Sequence, residues 1–169
     1  MADIQTAKYD FGMTVEEVKD LGLDNVADPT ITHTLGSHAA TLTASTTPPV
    51  TKTYSDELAL VAGAATIDLQ ALPSSESTTL DFTGLKVQLV KITAPSTNTA
   101  EVTFDVGAAN GYNLFGATNA TDESVAVPPG GVQMFKYTDD LQDVDATHSD
   151  VDVSSSDVDA TFDIMLVAG

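Results

Sequence analysis

The run Leu85-Lys86-Val87-Gln88-Leu89-Val90-Lys91-Ile92 reads as the strongest β-strand of the chain. Its apolar residues begin on one phase, Leu85, Val87 and Leu89, and then move by one residue to Val90 and Ile92. Side chains alternate faces along a strand, so the switch calls for a β-bulge or for burial on both faces.

Working outward, the same signals recur. Residues 40–46 are rich in Thr, and Pro48-Pro49 interrupts them. The segment from Val50 to Val61 stops at Gly63, and Thr66-Ile67-Asp68-Leu69 alternates before Pro73. On the far side, Val102, Phe104 and Val106 share one face. Ser124 to Val127 leads through Pro128-Pro129-Gly130-Gly131 into Val132 to Tyr137, and residues 160–167 close the pattern. Seven or eight short strands separated by turn residues predict an all-β domain. The twenty-four threonines agree, because β-branched side chains suit a pleated, half-wetted surface. Residues 39–169 are therefore expected to form a sandwich or a barrel.

The N-terminal 38 residues read differently. Thr14 with Glu17 three positions on is a capping box, Val15, Val18 and Leu21 follow at helical spacing, and Gly22 offers a C-terminal cap. The expectation is an arm over residues 1–38 with one short helix at about 15–21. Two turns cannot stand alone in water, so that helix must dock on something.

Composition narrows the chemistry. The 169 residues hold 25 Asp and Glu against six Lys, with no Arg and no Cys, for a formal net charge of −19. Arginine is the usual bidentate grip on phosphate, and cysteine a common nucleophile and soft metal ligand. Nucleic acid and anionic membranes are repelled by such a surface. Hydrophobic content of 42% still supports a folded core. The acidity fits either work at high salt or an outward face that keeps particles apart. The start carries no apolar signal region and no stretch is long and apolar enough to span a bilayer, so the expectation is a soluble protein made in a cytoplasm.

No motif fixes a catalytic, cofactor or metal site. The pairs Asp143/Asp145, Asp150/Asp152 and Asp157/Asp159 recur every seven residues and could attract a hard cation. They lack the glycine and bidentate glutamate of calcium loops, and turns near 147–149 and 154–156 must separate them. His33, His38 and His148 have neither ligand spacing nor a companion base. Gly107-Ala108-Ala109-Asn110-Gly111-Tyr112 lacks the Lys of a phosphate loop and reads as a turn, with Tyr112, Leu114 and Phe115 beyond it as a lid on the core. Thr66-Ile67-Asp68-Leu69, Thr79-Leu80-Asp81-Phe82 and Thr161-Phe162-Asp163-Ile164 share a Thr-apolar-Asp-apolar pattern, read as amphipathic strand patterning.

Five stretches together carry a resemblance: residues 66–72, 80–88, 107–116, Val127-Pro128-Pro129-Gly130-Gly131 and Leu166-Val167-Ala168-Gly169. They resemble a family of small all-β virion proteins of tailed bacteriophages and prophages, similar to head decoration (cement) proteins. The likeness covers about residues 50–169 and leaves the arm unmatched. It implies an all-β body that is a β-sandwich, with a jelly-roll favoured, and a non-enzymatic structural protein on the capsid exterior, made in the host cytoplasm. Its implied partners are the major capsid protein and further copies of itself, with a trimer favoured. It implies no catalytic residues and no cofactor. The other readings are a tail or fibre component, a surface module binding carbohydrate or cations, and a hydrolase using carboxylates.

Overall fold

The computed structural model describes residues 6–18, 27, 29–47, 49–73, 79–115, 123–137 and 142–169. Among them there is no helix and there are ten strands: β1 (Thr6–Val18), β2 (Thr30–Thr43), β3 (Lys52–Ala59), β4 (Ala64–Asp68), β5 (Val87–Thr93), β6 (Val102–Val106), β7 (Ser124–Val127), β8 (Val132–Lys136), β9 (Asp150–Ser154) and β10 (Thr161–Ala168). Strands β3-β10-β5-β8 form a front sheet and β4-β9-β6-β7 a back sheet, while β1 and β2 make a separate two-stranded ribbon. Every strand pair is antiparallel.

The two four-stranded sheets share one core, giving a sandwich-like body. Val90, Ile92, Phe162, Ile164 and Leu166 from the front meet Ile67, Phe104, Val151 and Val153 from the back, all essentially buried. Phe104 and Phe162 meet edge to face, with ring centroids 5.0 Å apart. Such a pair adds about 0.5–1.5 kcal/mol beyond the area it buries.

Strand β5 shows how the body is built. Val87 pairs with Ala168 and Leu89 with Val167, so Gln88 is an extra residue in the ladder. The bulge turns Val87 into the central core with Val90 and Ile92. Leu89 is left on the outer face, where it is buried beneath the ribbon. Both causes that the phase switch allowed are therefore present.

The short helix expected at 15–21 does not form. Residues 15–18 are extended in β1, and 19–21 lie outside the described residues. The physical reason is a competing period of two: Ala7, Tyr9, Phe11, Met13 and Val15 alternate with Lys8, Asp10, Gly12, Thr14 and Glu16. A partner rich in β-branched residues, with Thr30, Ile31, Thr32, Thr34, Thr41 and Thr43, pairs with β1 along its length. Twelve cross-strand partners outweigh two turns of helix whose nucleation is unfavourable. Strand β2 continues through residue 38 to Thr43, so arm and body share it.

Candidate interaction surface

The ribbon has two halves. In the proximal half, Ala7 and Leu42 pack with Val50, Leu89 and Val167, and Tyr9, Phe11 and Met134 border that cluster. This seals part of the front sheet's outer face. Lys136 also stacks over the Tyr9 ring, its ammonium 5.5 Å from the centroid.

Past Gly12 the packing stops. Phe11 pairs with His38 but Met13 pairs with Leu35, so the extra residue of the irregularity belongs to β2. Strand β1 keeps its phase, and the face carrying Ala7, Tyr9 and Phe11 continues through Met13 and Val15. Those last two, with Ile31 on the neighbouring strand, are between 42% and 56% exposed. A two-stranded ribbon is marginal in water unless a face is covered. The distal half thus presents an uncovered apolar strip.

Beside the proximal half lies a groove of about 480 Å³. Thr6 to Asp10 form one wall, and no residue of β2 lines the groove. Thr53, Ser55, Leu89, Lys91, Met165 and Val167 make its floor. In register, Ser55, Met165, Lys91 and Met134 form one row across the front sheet. The next row runs Glu57, Asp163, Thr93 and Val132, which adds two carboxylates to the same outer face.

The two faces differ in charge: the front mixes lysines with Glu57 and Asp163, and the back is acidic. Lys8 and Lys91 line the groove and Lys136 lies beside it on Tyr9, although the whole chain has only six lysines. The back sheet's outer rows carry Asp68, Asp150, Asp152 and Asp105.

The aspartate repeat of 143–159 is spent on local structure. Asp152 accepts hydrogen bonds from Thr66 Oγ1 at 2.8 Å and from the Ala108 amide at 2.9 Å. Asp143 pairs with Lys86 at 3.0 Å. Asp145 caps a turn, accepting from the Thr147 amide and hydroxyl at 2.7 and 2.8 Å. Those bonds from Thr147, with a smaller contribution from His148, pull the Asp145 carboxyl down to about 2. Asp157 accepts from the Thr99 amide, which holds it below the usual carboxylate range. Val144 and Val151, within the first two pairs, and Val153 beyond them are core residues, whereas Val158 of the third pair is exposed. The expected turns do separate the pairs, and among the described residues no three acidic or imidazole groups converge as a metal set.

The other singled-out residues fall in the ribbon, in turns and in the core. His33 and His38 are in β2 of the ribbon, whereas His148 sits in the Asp145 turn of the body. Asn110 takes the positive φ of its turn, and a Cβ on Gly111 would lie 2.3 Å from the Gly107 carbonyl oxygen. Tyr112 and Leu114 are in the core, as a lid would be. Ile67, Leu69, Phe82, Phe162 and Ile164 of the three Thr-apolar-Asp patterns are buried, while the aspartates face water. No helix among the described residues is long and apolar enough to cross a membrane.

No protein-family model matches the chain, and no curated protein matches it either. What the sequence did not single out is the ribbon and its groove. The alternation from Ala7 to Val15 was the available signal.

Proposed function

We propose that this chain is a non-enzymatic structural protein that decorates and stabilises a phage capsid from outside, as a homo-oligomer in contact with the major capsid protein. The observation that carries the reading is the ribbon: half of it is anchored on its own body, and half extends an apolar strip beyond it. An element of that kind gains its stability by lying on a neighbour. The resemblance of residues 66–72, 80–88, 107–116, 127–131 and 166–169 supplies the virion context. The division of charge supports an orientation, with the lysine-bearing front sheet toward the assembly and the aspartates of the back sheet toward solvent.

The strand order supports a jelly-roll for the body. Counting the eight body strands from β3, one sheet holds the first, eighth, third and sixth, and the other the second, seventh, fourth and fifth. Two interlocked Greek keys produce that order.

A bound decoration protein stabilises its shell by mass action, by about 2.7 kcal/mol per site at a hundredfold excess over Kd. Shells of the virus that encodes the chain, incubated with purified protein, should show regular added density by electron microscopy and a raised disruption temperature. Replacing Met13, Val15 and Ile31 together with Ser should leave the melting of the body unchanged and lower occupancy at least tenfold. Bare shells with the natural chain, or full occupancy with the triple variant, would contradict the reading.

A further inference from the structure

Three positions on each side of the middle of β1 are complementary. Around Gly12, Phe11 is matched by Met13, Tyr9 by Val15 and Lys8 by Glu16, while Asp10 falls against Thr14, Ala7 against Glu17 and Thr6 against Val18. Two copies of this strand laid antiparallel with Gly12 at the centre would therefore set apolar against apolar and lysine against glutamate. The matches repeat on both sides of the centre, as a two-fold interface requires.

We propose that two copies of this chain join along the free edges of β1, antiparallel and with the two-fold axis at Gly12. The distal strand of each copy then lies in the groove of the other. This deepens the assembly reading above by naming the arm's partner. Two observations on the molecule and two consequences of the geometry support it. One edge of β1 is taken by β2 and no further strand pairs with the other among the described residues, while Thr6 to Asp10 line a groove that no residue of β2 lines. The two-fold brings Thr14 to Val18 of one copy opposite Asp10 to Thr6 of the other, which is the segment that walls the groove. Met13 and Val15 then reach the apolar floor, where Met165 is 47% exposed. Lastly, the same face of β1 already packs on this sheet through Ala7, Tyr9 and Phe11, so the contact extends an existing surface chemistry.

A copy cannot fill its own groove in this way. Val15 lies five residues beyond Asp10, roughly 17 Å along an extended strand. The occupant must come from another molecule. The charge of the two ends fits that molecule being a second copy: Glu16 at the distal end meets Lys8 at the proximal end, once on each side of the axis. The resemblance implies three-fold assembly; the symmetry of β1 makes a pair the basic unit.

The test uses the full chain without shells. Sedimentation or native mass measurement at about 0.15 M salt should show a dimer. Lys8→Glu alone and Glu16→Lys alone each set like charges opposite one another twice, and should weaken the dimer about tenfold or more. The double variant Lys8→Glu/Glu16→Lys should restore it, which a merely structural role for either residue would not produce. Both positions are exposed, so the melting of the body should not change. Because the chain has no cysteine, Asp10→Cys and Thr14→Cys provide a second reading. Mixed and mildly oxidised they should link to each other, whereas either variant alone should not, since like positions are four residues out of register. A monomer at all concentrations, a dimer indifferent to the charge changes, or equal linking by the single variants would overturn the proposal. A monomer that still coats shells would sink this inference alone. A dimer that ignores shells would sink the assembly reading alone.

Discussion

Tyr112 shows how a single side chain holds the body's two ends together. Its hydroxyl accepts a hydrogen bond from the Val87 amide at 3.0 Å and donates one to the Gln142 carbonyl at 2.9 Å. Tyr112→Phe would leave a buried amide without an acceptor, so a loss of about 1–3 kcal/mol is expected by chemical denaturation. Burial, with Asp143 adding to it against the Val87 bond, pushes the Tyr112 hydroxyl up to about 12. Tyr54 and Tyr137 are raised to the same level, also chiefly by burial. The unfolded chain ionises first, near pH 10, so this stability is complete below pH 10 and is lost as pH rises toward 12. Tyr112 alone accounts for about 3 kcal/mol of that fall. A pH titration of stability should be visibly shallower in Tyr112→Phe; an identical slope would show that the hydroxyl is not shielded as described.

At the scale of elements, the ribbon hangs on a small cluster, and Leu42 is its pivot, packed with Val50, Leu89 and Val167. Leu42→Ala should cost about 2–5 kcal/mol locally. Amide exchange should therefore quicken across β1 and β2 while the core strands β5 and β10 keep their protection. Uniform loss across all strands would mean that ribbon and body unfold as one unit. The elements also mark where sequence reasoning succeeded. Seven of the eight body strands announced themselves because each is short, bounded by turn residues and patterned with apolar residues; β9 did not, since its Asp150 and Asp152 read as a candidate cation pair. The bulge at Gln88 was legible as a phase switch because both faces of β5 are covered. The ribbon was not legible, since Thr14 and Glu17 imitate a helix cap and Val15, Val18 and Leu21 imitate a helical stripe. Only pairing with β2, a partner some twenty residues away in the chain, decides for the strand. The groove was hidden for the same reason: its wall and floor come from β1, β3, β5 and β10, and no local motif joins them.

For the whole molecule, the net charge of −19 is the dominant long-range force. With most carboxylates exposed, self-repulsion opposes the compact state, and salt screens it over about 10 Å at 0.1 M and 3 Å at 1 M. The melting temperature should rise steadily between these concentrations; a fall would mean that local ion pairs such as Lys86 with Asp143 outweigh the global field. The same field keeps assembled copies hydrated and apart, provided that they meet through the one region where lysines gather. The distal ribbon is the part of this protein that other molecules cover. Hydrogen–deuterium exchange on the free chain, diluted until it is monomeric, and on the chain bound to shells tests this most directly. The amides of residues 12–18 and 30–36 are expected to slow markedly on assembly, with the back sheet unchanged. Protection that appears on the back sheet while the ribbon exchanges as before would contradict it.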